Sequence, residues 1–133
     1  MIRWDTLKTA ADKLAEYKQT KSQWLNAERD RLIHDGIEFN GNHYQTRPED
    51  ITNILGAVQV AQLAASQGQS YETKWLTSDN QEVLMSLNDL AAFGVAVAQH
   101  KEHLIYKCRA HKSALIDLET QQAVDDYLDN LSW

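Results

Sequence analysis

Ile37-Glu38-Phe39-Asn40-Gly41-Asn42-His43-Tyr44 is the stretch on which the fold turns. Asn-Gly supplies the two positive φ angles of a type I′ turn, so residues 37–44 read as a hairpin with Asn40 and Gly41 as its loop. The register follows from the loop: Phe39 opposes Asn42, Ile37 opposes Tyr44, and Ile37, Phe39 and Tyr44 share the face that should meet a core. A second pattern of this kind lies downstream, residues 71–77 and 81–85, joined by the turn formers Ser78-Asp79-Asn80.

Each hairpin runs into a helix. Thr46-Arg47-Pro48-Glu49-Asp50 is a helix start, because Pro in the first turn lacks only an N–H that would go unused, and two acids sit near the positive end of the dipole. Ile51, Ile54, Leu55, Val58, Ala61 and Ala65 then recur at helical spacing to about Ser66, and Gly68 marks the stop. The many alanines suit close packing on a sheet or a neighbouring helix. After the second hairpin, Ser86-Leu87-Asn88-Asp89 is a capping box with Asp in place of Glu, opening a long helix over about 87–118. Leu90, Phe93, Val97, Leu104, Cys108, Leu115 and Leu118 trace one stripe on it. Leu87, Ala91, Val95, Ala98 and Ile105 widen that stripe, so the first half is expected to be nearly buried.

Ahead of the first hairpin, residues 2–34 contain no Gly or Pro and have strong summed helix propensity, which predicts one long helix ended by Asp35-Gly36. Trp4, Leu7, Ala11 and Leu14 fall at heptad spacing, but Lys18 and Lys21 interrupt the seam before Leu25 and Leu32 resume it. That interruption disfavours a self-sufficient coiled coil, and the alternative is an amphipathic helix whose second half packs on the body while its first half waits for a partner. The expected fold is therefore α+β, a long N-terminal helix followed by two β-hairpin–helix units that share a small antiparallel sheet covered by helices. Its expected divisions are a partner-binding helix at 1–26, a ββαββα body at 27–118 and an acidic tail at 119–133.

At 133 residues the chain is long enough to bury a core without staples. A single cysteine, Cys108, excludes an intrachain disulfide and suits a reducing compartment. No apolar run is long enough for a membrane span, and the first residues place acids where a signal peptide carries its apolar segment, so synthesis in the cytoplasm and no membrane partner are expected. A net charge of −6 disfavours nucleic acid, whose backbone is held by clustered Lys and Arg. The acids concentrate at the end, Asp117, Glu119, Asp125, Asp126 and Asp129 without any Lys or Arg. That end also carries Tyr127, Leu128, Leu131 and Trp133, which are too apolar to be left in water. It reads either as a docked terminal turn or as a short linear anchor.

Glu28-Arg29-Asp30-Arg31, the run Gly36 to Thr46, the Ala-rich helix, Trp75-Leu76-Thr77-Ser78-Asp79-Asn80, Val83, and Leu87 to Leu90 occur in that order. The order resembles an uncharacterised domain family of tailed bacteriophages, found in tail-fibre, tail-fibre-assembly and other tail-associated proteins. The resemblance covers about residues 27–116. It implies a structural or adaptor part in a phage tail, at baseplate, tail tip or fibre, with a tail-fibre assembly chaperone as the alternative and an unrecognised enzyme as a distant one. It brings no catalytic residues.

Enzyme chemistry finds few parts in the chain. There is no phosphate-binding Gly-rich loop, no nucleophile elbow and no His-Glu-x-x-His, and the acid pairs Glu49-Asp50 and Asp125-Asp126 are explained by helix ends. His100 with His103, and Cys108 with His111, stand one helical turn apart, but His103 and His111 are about 12 Å apart along a helix, too far to share an ion. No catalytic residue, metal or cofactor is therefore expected. The expected partners are other phage tail proteins, fibre or baseplate, met by a homo-oligomer or by several copies on a symmetric assembly in the virion tail. The contacts are expected from Trp4, Leu7, Ala11 and Leu14 on the first helix, from Leu104, Leu115 and Leu118 on the last long one, and from Trp133.

Overall fold

The computed structural model describes residues 7–133. Helix α1 (Ala10–Ile33) leads to strands β1 (Ile37–Phe39) and β2 (Asn42–Tyr44), helix α2 (Pro48–Ser66), strands β3 (Glu72–Leu76) and β4 (Glu82–Ser86), then helices α3 (Leu87–Ile116) and α4 (Gln121–Asp129). The class is α+β, with a long first helix and two hairpin–helix units. The described residues divide into two compact units, one formed by Asp30–Leu104 and the other by 7–29 with Ile105–Trp133. These bounds differ from the sequence-based divisions at 26 and 118, because helices α1 and α3 each contribute residues to both units.

In the Asp30–Leu104 unit the first hairpin has the expected turn and register. Asn40 and Gly41 have φ of 49° and 83°, and Ile37 pairs with Tyr44, Glu38 with His43, Phe39 with Asn42. The second hairpin turns through Ser78-Asp79-Asn80 with Asn80 at φ 62°, closed by Asn80 N–H to Thr77 O (3.0 Å) and Thr77 N–H to Gln81 O (2.9 Å). The two hairpins do not share a sheet. Each is a two-stranded ribbon, joined to the other by one backbone bond from Ser78 N–H to His43 O (2.8 Å) and one side-chain bond between His43 Nδ1 and Ser78 Oγ (2.6 Å). The second ribbon therefore meets the first at its turn and not along an edge, so no third strand is laid down. Both ribbons close instead over Phe93 of α3, whose ring lies 4.8 Å from Tyr44, 5.2 Å from Phe39 and 5.9 Å from Trp75 between centroids. Ile37, Tyr44, Ile54, Ala61, Met85, Leu90, Phe93 and Val97 form the core, and Trp75 packs half-buried at its edge.

The helix ends are set by local chemistry. Ser86 Oγ accepts from Asp89 N–H (3.2 Å) while Asp89 accepts from Ser86 N–H (3.0 Å), the capping box expected for α3. Helix α2 stops in a Schellman motif, Gln69 N–H to Ala64 O and Gly68 N–H to Ala65 O, with Gly68 at φ 70°. The end of α1 is tied by Thr46, which is fully buried: its hydroxyl donates to Ile33 O (2.7 Å) and accepts from Gly36 N–H (2.9 Å). His100 adds a bond from Nε2 to Leu32 O (3.0 Å). Helix α1 begins at Ala10 and residues 7–9 lie outside it, because Thr9 and Asp12 exchange backbone-to-side-chain bonds of 3.1 Å each and cap the helix there; the part of the expected helix over 2–6 lies outside the described residues.

In the other unit Leu25, Cys108, Leu115 and Val124 are buried together, with Tyr17, Leu118, Tyr127, Leu128, Leu131 and Trp133 packed around them. Of the two readings of the acidic end, the docked one holds: α4 starts at its Thr120 cap and lays Val124 and its neighbours on this core.

Candidate protein-binding surfaces

Three devices hold the C-terminal segment. His111 is 7 % exposed, and both its ring nitrogens are used, Nε2 with the Ser132 carbonyl (2.8 Å) and Nδ1 with the Tyr127 hydroxyl (2.7 Å). A carbonyl only accepts, so Nε2 carries the proton and, in the neutral ring, Nδ1 accepts from Tyr127. Tyr127 and Trp133 meet the same ring edge-on at 5.7 and 5.1 Å. Tyr17 donates to the Asp125 carboxylate, and this bond, with burial and the charges of Asp125 and Asp129, raises the phenol above its ordinary value. Lys18 Nζ donates to Ile116 O (2.8 Å), the open carbonyl end of α3.

This arrangement corrects half of the expected contact set. Leu104 (4 % exposed) and Leu115 (1 %) have no surface to give a partner, and Leu118 and Trp133 are half-buried beside the Leu115 core. The stripe on α3 is real, but the chain's own C-terminal segment covers its lower part. Cys108 is fully buried, its Sγ 3.6 Å from Asn26 Oδ1, which also accepts from Lys112 Nζ (2.8 Å). Among the described residues no group of three or more His, Cys, Asp or Glu could hold one metal ion. From the first helix, Leu7 and Ala11 are exposed and Leu14 is half-buried, while Trp4 lies outside the described residues. Ala11 and Leu14 line a groove of about 500 Å³ with Ala10, Lys13 and the Glu119-Thr120-Gln121 start of α4.

The large apolar side chains left in solvent lie elsewhere. Leu55 (54 % exposed), Val60 (48 %) and Leu63 (60 %) line the outward face of α2. On the second ribbon Thr73, Trp75, Val83 and Met85 point inward, so the outer face carries Leu76 and Leu84, both more than half exposed, around a Lys74–Glu82 ion pair of 3.2 Å. Val95 on α3 is also exposed, as are Ala91 and Ala98, so the first half of α3 presents one buried and one open face, contrary to the widened stripe. Among the described residues Leu7, Trp24, Ile105, Tyr106 and Ile116 are the large exposed apolar side chains of the other unit. Sequence reasoning missed α2 as a surface, although a signal was present: no charged side chain occurs between Asp50 and Glu72. A helix with one face on a core ordinarily shows charge on the other.

At its N-terminal end α2 is fixed by a tight ion pair. Asp50 accepts from Arg47 Nε (2.7 Å), Nη2 (3.1 Å) and backbone N–H (3.0 Å), and the Arg47 hydrogen bonds hold its carboxyl below the ordinary value against an opposing effect of burial. Arg47 and Asp50 border an open polar groove with Gln45, Asn53, Lys74 and Trp75.

Two hairpins on one helix-backed core, a second core closed by the chain's own end, an uncharged helix face and a ribbon face with two leucines around an ion pair define an α+β protein with surfaces to offer. Residues 16–129 match the family DUF4376, a domain of unknown function, and the chain belongs to that family. The match takes in α1 from Glu16 and reaches the last residue of α4, so it covers all of the Asp30–Leu104 unit and most of the other. No curated protein and no solved structure matches the chain.

Proposed function

We propose that this chain works by protein–protein contact as a structural or adaptor component of a bacteriophage tail, made in the host cytoplasm and carried in the virion tail. The observation that carries the protein-binding part is the grouping of exposed apolar side chains on regular faces, Leu76 and Leu84 on the second ribbon and Leu55, Val60 and Leu63 on α2. Singly scattered leucines need no partner, whereas grouped ones on a rigid element favour one. The tail part rests on the order of motifs from Glu28 to Leu90. The ribbon face, with two leucines around a Lys74–Glu82 pair, suits another tail protein with an apolar patch rimmed by charge.

Copurification from phage-producing cells tests this reading. Wild-type chain is expected to bring down fibre or baseplate proteins, and the Leu76→Asp, Leu84→Asp double variant to recover at least about tenfold less while remaining folded. Equal recovery by the two would remove the ribbon face as the contact. A wild-type sample without tail proteins would overturn the tail reading itself. The assembly chaperone is a second reading favoured by one observation: among the described residues β3 and β4, five residues each, pair only with one another and leave outer edges on which a strand of a fibre protein could add.

A further inference from the structure

We propose that the outward face of α2 is the contact between two copies of this chain, paired antiparallel about a two-fold axis beside Gln59. The sequence Leu55-Gly56-Ala57-Val58-Gln59-Val60-Ala61-Gln62-Leu63 reads the same in both directions except at Gly56 and Gln62, and Thr52 and Ser66 extend the symmetry at equal distance from Gln59. Two-fold pairing of antiparallel helices sets each position before the centre in one layer with the matching position after it in the partner. Leu55 then shares a layer with the partner's Leu63, Thr52 with the partner's Ser66, and Gln59 with its own copy, whose amide offers both a donor and an acceptor. Thr52, Leu55, Gln59, Leu63 and Ser66 are all exposed, so the symmetric set coincides with the open face.

Two further observations point to a second copy as the occupant. No charged side chain lies between Asp50 and Glu72, so this is where two chains of net charge −6 can approach with least repulsion, and antiparallel helix dipoles also attract. Gly56 is the other. A helix-interior glycine is unfavourable relative to alanine, and a Cβ there would meet nothing within 4 Å in this chain. Gly94 shows the contrast: a Cβ there would come to 2.9 Å from Val58 Cγ2, so close packing of α3 on α2 explains it. Close approach of a second α2 would explain Gly56 in the same way.

Sedimentation of the full chain over micromolar concentrations tests the proposal, with two variants that place charges at the same two exposed leucines. Wild type is expected to reach twice the chain mass. Leu55→Glu with Leu63→Glu puts like charges in both layers and should weaken the dimer at least about 100-fold, while Leu55→Lys with Leu63→Glu puts opposite charges there and should stay within about tenfold of wild type. A wild type that remains a single chain throughout overturns the proposal, and so does dissociation of the Lys/Glu variant to the same extent as the Glu/Glu one. The proposal does not depend on the tail reading, and its test contains no phage protein.

Discussion

Replacing Gly36 by alanine should damage the fold far more than the same change at Gly41, although both glycines have positive φ, 100° and 83°. At Gly41 a Cβ would meet nothing within 4 Å, so the penalty is backbone strain alone, about 1–2 kcal/mol. At Gly36 the same strain is joined by collision, since a Cβ would lie 2.5 Å from His43 Nε2 and 2.8 Å from the Tyr44 carbonyl oxygen. The imidazole can swing into solvent, giving up its bond to Ser78 Oγ, a net loss of about 1 kcal/mol. The Tyr44 carbonyl cannot move so freely, because it belongs to β2 and Tyr44 is buried against Phe93. Shifting it adds about 1–3 kcal/mol as overpacking, for a total of about 3–6 kcal/mol. Urea unfolding followed by tryptophan fluorescence, with both variants beside wild type, reads the difference. A Gly36→Ala variant no less stable than Gly41→Ala would refute the placement of the first hairpin against the end of α1.

His111→Leu should remove two hydrogen bonds and leave the Ser132 carbonyl and Tyr127 hydroxyl without a partner, a loss of about 1–3 kcal/mol, and hydrogen exchange should quicken over residues 120–133 before it does elsewhere. Unchanged exchange there would mean that the apolar contacts alone hold α4. Acid should loosen the start of α2: the folded Asp50 carboxyl is depressed, so its contribution is fully present above the unfolded value near pH 4 and is lost as pH falls through the lower folded value. An Asp50→Asn variant is expected to show a flatter stability curve over that acid range, and an unchanged curve would show that the Arg47 pair contributes nothing.

What was legible in the sequence was what short-range chemistry dictates. Asn40-Gly41 specified a turn and, with it, a register; Ser86 and Asp89 specified a cap; Pro48 and Gly68 bracketed α2. Thr9-Ala10-Ala11-Asp12 carries the same kind of cap signal as Ser86 to Asp89 and was outweighed by the helix propensity of the residues before it. The rest depended on contacts distant in sequence. Nothing local says whether two ribbons join edge to edge or, as here, through Ser78 and His43. Leu115 and Leu118 looked available because a stripe on one helix does not name its cover, and α4, which closes the lower core, follows them in the chain. The surfaces proposed for binding were hidden for the opposite reason. Leu55 fits an apolar helix pattern so well that it reads as core, and only the placement of Ile54 and Ala61 against Phe93 and its neighbours turns it and Leu63 outward.

Quantitative mass spectrometry of tailed-phage particles purified from cells that make the chain tests the proposed tail role most directly. The account predicts the chain in intact particles, or in partly assembled tails, at a fixed number of copies relative to fibre and baseplate proteins. Its absence from both, while it accumulates free in the producing cell, would contradict a tail component.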